Sequence, residues 1–362
     1  MPERTTVSPV VWIVAAVILG TAVQAAQVQF SGSWSGLLAV GAESPLRPLI
    51  EQELGPIALT EGRGHDGHAY YAVALDPFLL DPPGEVDAAY RYRRILLPIL
   101  GSGLGTLGGW PLLRGLTFVN LGGFVLCVAG LSLIVHQSAL PWWLPLGALA
   151  NVGLYLALQS TTPDALALGL GLLAVAFSIR GQHLGSAILI AAAVLAKETF
   201  AVMSLSLGAW AWFELRRMRL ATLYLASALP AIAWTIYLGT RLSNAFETGD
   251  NLGLPFVGLI ESAGGWTQTS GRDIGFTVLA LGLLVLGATS LYRSGPGLWS
   301  YLLTPWLLIA LVSSHWIWDL GNNSLRTLAP LLPFSLLVLC DRRGEWPSVR
   351  LTSLLTKNRQ AD

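Results

Sequence analysis

The chain has 362 residues, of which 53% are hydrophobic and only 12% charged, and its formal net charge is zero. A soluble domain carries roughly 25% charged residues, and the shortfall here runs along the whole chain, so composition excludes a soluble enzyme. It also offers no basic surface for nucleic acid, and no polar stretch is long enough to form a separate soluble domain.

A bilayer core needs about 20 apolar residues of helix. In chain order, candidate segments fall near 9–28, 115–136, 141–158, 163–179, 184–196, 198–215, 220–240, 273–292, 297–314 and 325–340. The fold class expected is an all-α polytopic membrane protein of about ten segments. A transmembrane domain would occupy 1–340, including a long first outer loop at 30–112 with short interfacial helices. Residues 341–362 would form a basic cytoplasmic tail. Residues 9–25 also fit a signal peptide, but the lead-in MPERTT is not positive, so a retained helix is expected. Trp142, Trp143, Trp316 and Trp318 stand near segment ends, as in an interfacial aromatic belt. Cys127 and Cys340 lie in apolar runs without zinc spacing and read as small core hydrophobes.

The run 184–215 is ambiguous. As one helix it would be roughly 48 Å long, and Lys197 and Glu198 interrupt it. Charges at mid-membrane are costly and normally face a cavity. Two segments meeting at Lys197-Glu198-Thr199 also satisfy the positive-inside rule. With a cytoplasmic N-terminus, Arg180, Arg216, Arg217, Arg219 and Arg293 then fall in inner loops. The opposite, outer face receives loop 30–112, TTPD at 161–164, the Lys197-Glu198 break, loop 241–272, which contains Ser243, and HWIWDLGNNSLR at 315–326.

Within the outer loop, residues 45–59 suit a helix lying in the interface. The stretch GHDGHAYYAVALDPF (64–78) follows. Gly64 and Gly67 flank Asp66 and favour a sharp turn. HAYYAVALD reads as a helix of about two turns ended by Pro77. Asp66 sits at its N-cap, where a carboxylate serves either as a cap or as a site residue. YRYRRILLPIL (90–100) brings Arg91, Arg93 and Arg94, whose forks suit phosphate or ordinary lipid headgroups. His65-Asp66-Gly67-His68 invites a zinc reading. Adjacent His and Asp rarely point at one ion, however, and no matching His pair exists on the outer face, so no metal or other cofactor is expected.

HDGHAYYAVALDPF followed by YRYRRILLPIL resembles the first outer loop of bacterial membrane proteins of the GT-C glycosyltransferase superfamily. There an Asp-Gly pair precedes an aromatic-containing helix, and a Tyr-Arg…Arg-Ile-Leu-x-Pro segment follows. TTPD at 161–164, LAKET at 195–199 and Asn-Ser-Leu-Arg at 323–326 look like later parts of the same pattern, so the resemblance spans about residues 8–340. It implies an enzyme of the bacterial inner membrane that takes a sugar from a polyprenyl-phosphate donor on the outer side. The acceptor would be an envelope glycan, lipid or protein. It also implies that the first-loop acid, here Asp66, is the catalytic base. The chain departs from the pattern in having no Asp-x-Asp pair in this loop.

An inverting transfer needs one base for the acceptor hydroxyl and cations for the departing phosphate. Asp66 is the expected base. Arg91, Arg93, Arg94, Lys197 and Arg326 are the cation candidates, with Arg93 or Arg94 favoured within their cluster. Tyr70, on the aromatic-containing helix, joins them as a substrate contact. Asp76 reads as a helix-end residue or a second acid. Asp164 reads as a helix start or an acceptor contact. Glu198 reads as the partner of Lys197 or a site residue. His315, one turn from Asp319, reads as a sugar-stacking or belt position. Two other classes share these features: a transporter or flippase of a lipid-linked glycan, and a non-catalytic envelope-assembly partner.

Overall fold

The computed structural model describes residues 7–80, 88–138, 140–242, 251–266, 271–319 and 321–341. The expected basic tail therefore lies outside the described residues, apart from Asp341.

The chain opens with helix α1 (Pro9–Ser31), capped by Ser8, whose hydroxyl accepts from the Val10 amide. A 3₁₀ turn (Trp34–Leu38) leads to strand β1 (Val40–Gly41), helix α2 (Arg47–Leu54) and strand β2 (Leu59–Thr60). The two strands pair in parallel, Val40 with Leu59 and Gly41 with Thr60. Helix α3 (Gly67–Leu75) follows, then α4 (Ala88–Tyr92) and α5 (Leu96–Gly108). The expected outer loop is thus a folded unit, and its apolar end forms α5, a helix not anticipated from the sequence.

Next come α6 (Leu112–Ser138), α7 (Leu146–Leu149), α8 (Val152–Gln159) and α9 (Asp164–Ile179). The single segment expected at 141–158 is broken between α7 and α8 at Ala150-Asn151. Helix α10 (His183–Ala196) ends at Lys197, whose backbone is extended (φ −154°, ψ 118°), and α11 (Ala201–Phe213) starts after a 3₁₀ turn over Glu198–Phe200. The run 184–215 is therefore two helices. Then follow α12 (Met218–Ala226), α13 (Leu229–Arg241), α14 (Val257–Ala263), α15 (Gly271–Arg293), α16 (Leu298–Val312), α17 (His315–Trp318), α18 (Gly321–Thr327) and α19 (Leu331–Cys340).

Four stretches are long and apolar enough to cross a membrane: α1, α6, the α12–α13 stretch Met218–Arg241, and α15. The α18–α19 pair, bent by 49°, makes a fifth if it counts as one span. The expected count of ten is not met. Helices α9, α10 and α16 have 16, 14 and 15 residues, about 21–24 Å at 1.5 Å per residue, against about 30 Å of hydrocarbon. The protein is membrane-embedded and all-helical in its main layers, with fewer full-length spans than hydropathy implies.

Helix α6 sits at the centre and is the most buried of the long helices. Its contact with α9 is built on glycines. A Cβ at Gly123 would lie 2.4 Å from the Leu166 amide nitrogen, and one at Gly169 would lie 2.4 Å from the Gly123 carbonyl. Between membrane helices such small residues let backbones approach and replace the missing hydrophobic drive with close packing. The other three long stretches turn apolar residues outward, among them Val14 and Ile18 on α1, Ile232 and Ile236 on α13, and Val278 and Val285 on α15. So much exposed aliphatic surface is unsuited to water and suited to lipid. Trp142, Trp143 and Trp316 are exposed, as a belt requires, but Trp318 is buried beneath α14 and belongs to the core.

Candidate functional site

The polar residues converge at one end of the bundle, where α9 begins and α10 ends. Five separated pieces of chain supply them: the start of α3, the α4 turn, the start of α9, the break after α10, and α18.

Asp66 is held by the backbone around it. Gly64 adopts φ +77°, and a Cβ there would fall 2.3 Å from the Gly41 nitrogen, which commits the position to glycine. The His65 amide donates to the Ala39 carbonyl at 2.9 Å. Gly67 packs its Cα against the chain before TTPD: a Cβ there would lie 2.1 Å from the Ser160 carbonyl oxygen and 2.9 Å from that of Leu38. The Thr161 hydroxyl ties the two loops from the other side by donating to the Leu37 carbonyl at 2.8 Å. Gly67→Ala is therefore expected to cost about 1–3 kcal/mol, the usual price of overpacking, because both obstacles are backbone. A thermal melt in detergent beside wild type measures it, and an unchanged melting temperature would show that the two loops separate freely.

The Asp66 carboxylate does not cap its helix. Its backbone is already helical, and no side-chain cap bond forms. Both oxygens turn instead to arginines. Arg91 Nη2 lies 2.8 Å from Oδ1, and Arg326 Nη2, from α18, lies 3.3 Å from Oδ2. Arg326 also donates to Asn323 Oδ1 at 2.7 Å. Burial works to raise the Asp66 carboxyl, but the Arg91, Arg326 and Arg94 guanidiniums outweigh it and hold it well below the usual carboxylate range. The pairing's stabilisation is thus present above the unfolded carboxyl pKa of about 3.9 and is lost only as pH falls through the lower folded value. A carboxylate held this way is ionised but is a weak proton acceptor.

Arg94 has a different role. Its Nε and Nη2 donate to the two Glu198 oxygens at 2.8 and 2.7 Å, and Nη1 donates to the Tyr70 hydroxyl at 3.0 Å. Its guanidinium also stacks on the Tyr90 ring at 4.1 Å and donates to the Tyr90 hydroxyl. Arg91 lies over the same ring at 4.9 Å. Residues three apart on a helical turn share a face, so Arg91 and Arg94 flank Tyr90, and Arg93 falls off that face. A small apolar cluster of Val73, Leu79, Tyr92, Ile95 and Leu238 seats this turn. The Trp234 indole donates to the Tyr92 carbonyl at 2.7 Å and locks it to α13.

Behind this layer lies a second ion pair. Lys197 Nζ reaches Asp164 Oδ1 at 2.5 Å, with both side chains only 9% exposed. The Thr162 hydroxyl donates to Asp164 Oδ2 at 2.6 Å. Asp164 is the first residue of α9, but its carboxylate serves Lys197. In this network four cations (Arg91, Arg94, Lys197, Arg326) meet three carboxylates (Asp66, Asp164, Glu198), an excess of one positive charge. His65 and His68 stand beside it. Burial and Arg326 lower the His65 imidazole, and burial lowers His68 against the pull of Asp66. Among the described residues no group of three His, Cys, Asp or Glu side chains forms a metal site.

No family model, curated protein or solved structure matches the chain. The resemblance to the GT-C superfamily therefore rests on the quoted motifs alone.

Asp66, Tyr70, Arg91, Arg94, Asp164, Lys197, Glu198 and Arg326 are all brought together. Asp76 is not: it sits at the opposite end of α3, where Oδ1 accepts from the Leu80 amide and closes the turn. His315 faces Glu261 on α14 at 3.6 Å, exposed and outside the ion-pair network. Sequence reasoning missed Tyr90, Thr162 and Asn323. The i, i+4 spacing of Tyr90 and Arg94 was the available signal for the first. Thr162 stood two residues before Asp164, and Asn323 one turn before Arg326.

Proposed function

We propose that the protein is a glycosyltransferase of the bacterial inner membrane that moves a sugar from a polyprenyl-phosphate donor to an envelope glycan, lipid or protein acceptor, in a site facing the outside. The observation that supports this reading best is Asp66: a carboxylate released from capping duty and set among arginines at the end of an apolar bundle. In such a reaction the acceptor hydroxyl gives its proton to Asp66. Its oxygen bonds to the anomeric carbon, and the bond from that carbon to the phosphate oxygen breaks. The electron pair leaves on the phosphate, whose charge Arg91 and Arg326 stabilise. The apolar faces of α13 and α15 suit the polyprenyl tail.

The test is purified protein, a labelled polyprenyl-phosphate sugar and a panel of acceptors. Release of polyprenyl phosphate with appearance of a glycosylated acceptor supports the reading. Movement of the intact lipid between leaflets without transfer would replace it with a flippase.

Orientation has its own test. In a Cys340→Ser background, Glu61→Cys in the Asp66 loop is expected to react with an impermeant maleimide added outside, and Arg293→Cys at the end of α15 only after permeabilisation. The reverse pattern would place the site in the cytoplasm. Ser243, which sequence places in an outer loop, lies outside the described residues.

A further inference from the structure

Two of the three arginines around Asp66 are only partly engaged. Arg326 is 8% exposed, yet its Nε and Nη1 have no hydrogen-bond partner among the described residues. Arg91 leaves Nη1 buried in the same condition. Leaving buried charged donors unmade is costly, and two such guanidiniums at one carboxylate are rarely idle. Arg94, by contrast, has every nitrogen occupied by Glu198, Tyr70 or Tyr90. Arg94 is therefore the structural cation, while Arg91 and Arg326 hold donors in reserve.

The hold on Asp66 is also uneven. Charge-assisted N–H···O bonds run at about 2.7–2.9 Å; Arg91 meets that, and Arg326 at 3.3 Å does not. Asp66 makes no cap bond to its own helix, so losing an arginine leaves α3 intact. A phosphate ester presents several oxygens to a planar fork, a better match than one carboxylate oxygen per guanidinium.

We propose, building on the sugar-transfer reading, that Asp66 and the lipid-linked phosphate compete for Arg326 and Arg91. The apo protein keeps its base paired and weak. Donor binding draws the guanidiniums onto the phosphate, completes their bonding and releases the carboxylate to accept the acceptor's proton. The order of binding follows: donor first, acceptor second. An acceptor, or water, that arrives without a donor meets a carboxylate unable to deprotonate it.

The experiment is binding of farnesyl phosphate to the detergent-solubilised full chain, followed by isothermal titration, with farnesol as the uncharged control. Removing a competitor should help the ligand, so Asp66→Asn is expected to bind farnesyl phosphate about tenfold tighter, a change of about 1.4 kcal/mol. Arg326→Gln is expected to bind it at least about tenfold more weakly. Arg326→Lys, which keeps the charge and loses the fork, takes its place if the glutamine variant does not fold. Glu61→Gln removes one negative charge from an exposed position of the same loop without freeing an arginine of the network, and should not tighten binding. Unchanged or weaker binding by Asp66→Asn overturns the proposal. Equal tightening by Glu61→Gln also overturns it, because net charge would then be the cause. Inorganic phosphate and phosphatidylglycerol micelles are run in parallel. If either matches farnesyl phosphate in affinity and in its response to Asp66→Asn, the assignment to a polyprenyl phosphate fails. Absence of sugar transfer would overturn the transferase reading and leave the competition standing, so the two failures are distinguishable.

Discussion

Asp66→Asn is expected to lower sugar transfer about a thousandfold, within the range usual for loss of a general base. The substitution keeps the size and planarity of the side chain and removes only the proton-accepting charge. Arg91 retains its stacking on Tyr90 at 4.9 Å and Arg326 its bond to Asn323 at 2.7 Å, so the arginine frame persists. The variant should elute from gel filtration like wild type. Loss should fall on kcat, with the donor KM lowered, because the competitor for the phosphate ligands has gone and slow chemistry brings KM to the dissociation constant. A variant that transfers sugar at the wild-type rate would remove Asp66 from the mechanism. One that loses activity through a raised donor KM would make it a binding residue instead.

The second large effect is on stability. Lys197→Met leaves Asp164, 9% exposed, without its ion-pair partner and with the Thr162 hydroxyl bond still in place. Breaking a buried pair from one side costs about 3–5 kcal/mol, while replacing both partners by apolar residues is often neutral. The single variant is therefore expected to melt well below wild type in detergent, and Lys197→Met with Asp164→Leu to recover most of the loss. A further expectation concerns function: the double variant should stay folded and retain measurable donor binding, because Arg91 and Arg326 are untouched. If the single variant melts normally, Lys197 is not a structural cation and its place is with the substrate ligands.

Much of this site is legible in the sequence. The glycines around Asp66 announce a turn, and the structure uses both for close backbone approach, at Gly41 and at Ser160. The Lys197-Glu198 interruption correctly divides α10 from α11, because two charges cannot sit idle within an apolar helix. The pairings are less visible. Lys197 and Glu198 are adjacent, which suggests that they neutralise each other. An extended residue followed by a 3₁₀ turn sends them to Asp164 and Arg94 instead. Asp66 stands where a cap belongs, and only the three-dimensional approach of Arg91 and of Arg326, 260 residues later, shows the carboxylate spent elsewhere. The span count failed for a related reason. Hydropathy marks apolar runs but neither helix ends nor breaks: α9, α10, α11 and α16 stop at 16, 14, 13 and 15 residues, and the turns at Ala150-Asn151 and Leu328-Pro330 interrupt runs that read as continuous.

The shortness of α9 bears on how the charged centre is housed. Its 16 residues cover about 24 Å, some 6 Å less than the hydrocarbon layer. Lipid does not feel that deficit, because thirteen of the sixteen are buried against neighbouring helices, α6 and α10 foremost. The faces turned to lipid belong to α1, α13 and α15, which lie in stretches long enough to cross. A short helix walled in by long ones can carry charge at its end where no lipid tail reaches, and Asp164 with Lys197 occupies that place. Changes of acyl-chain length therefore press on the outer frame, and the ion pairs at the head of α9 are insulated from them.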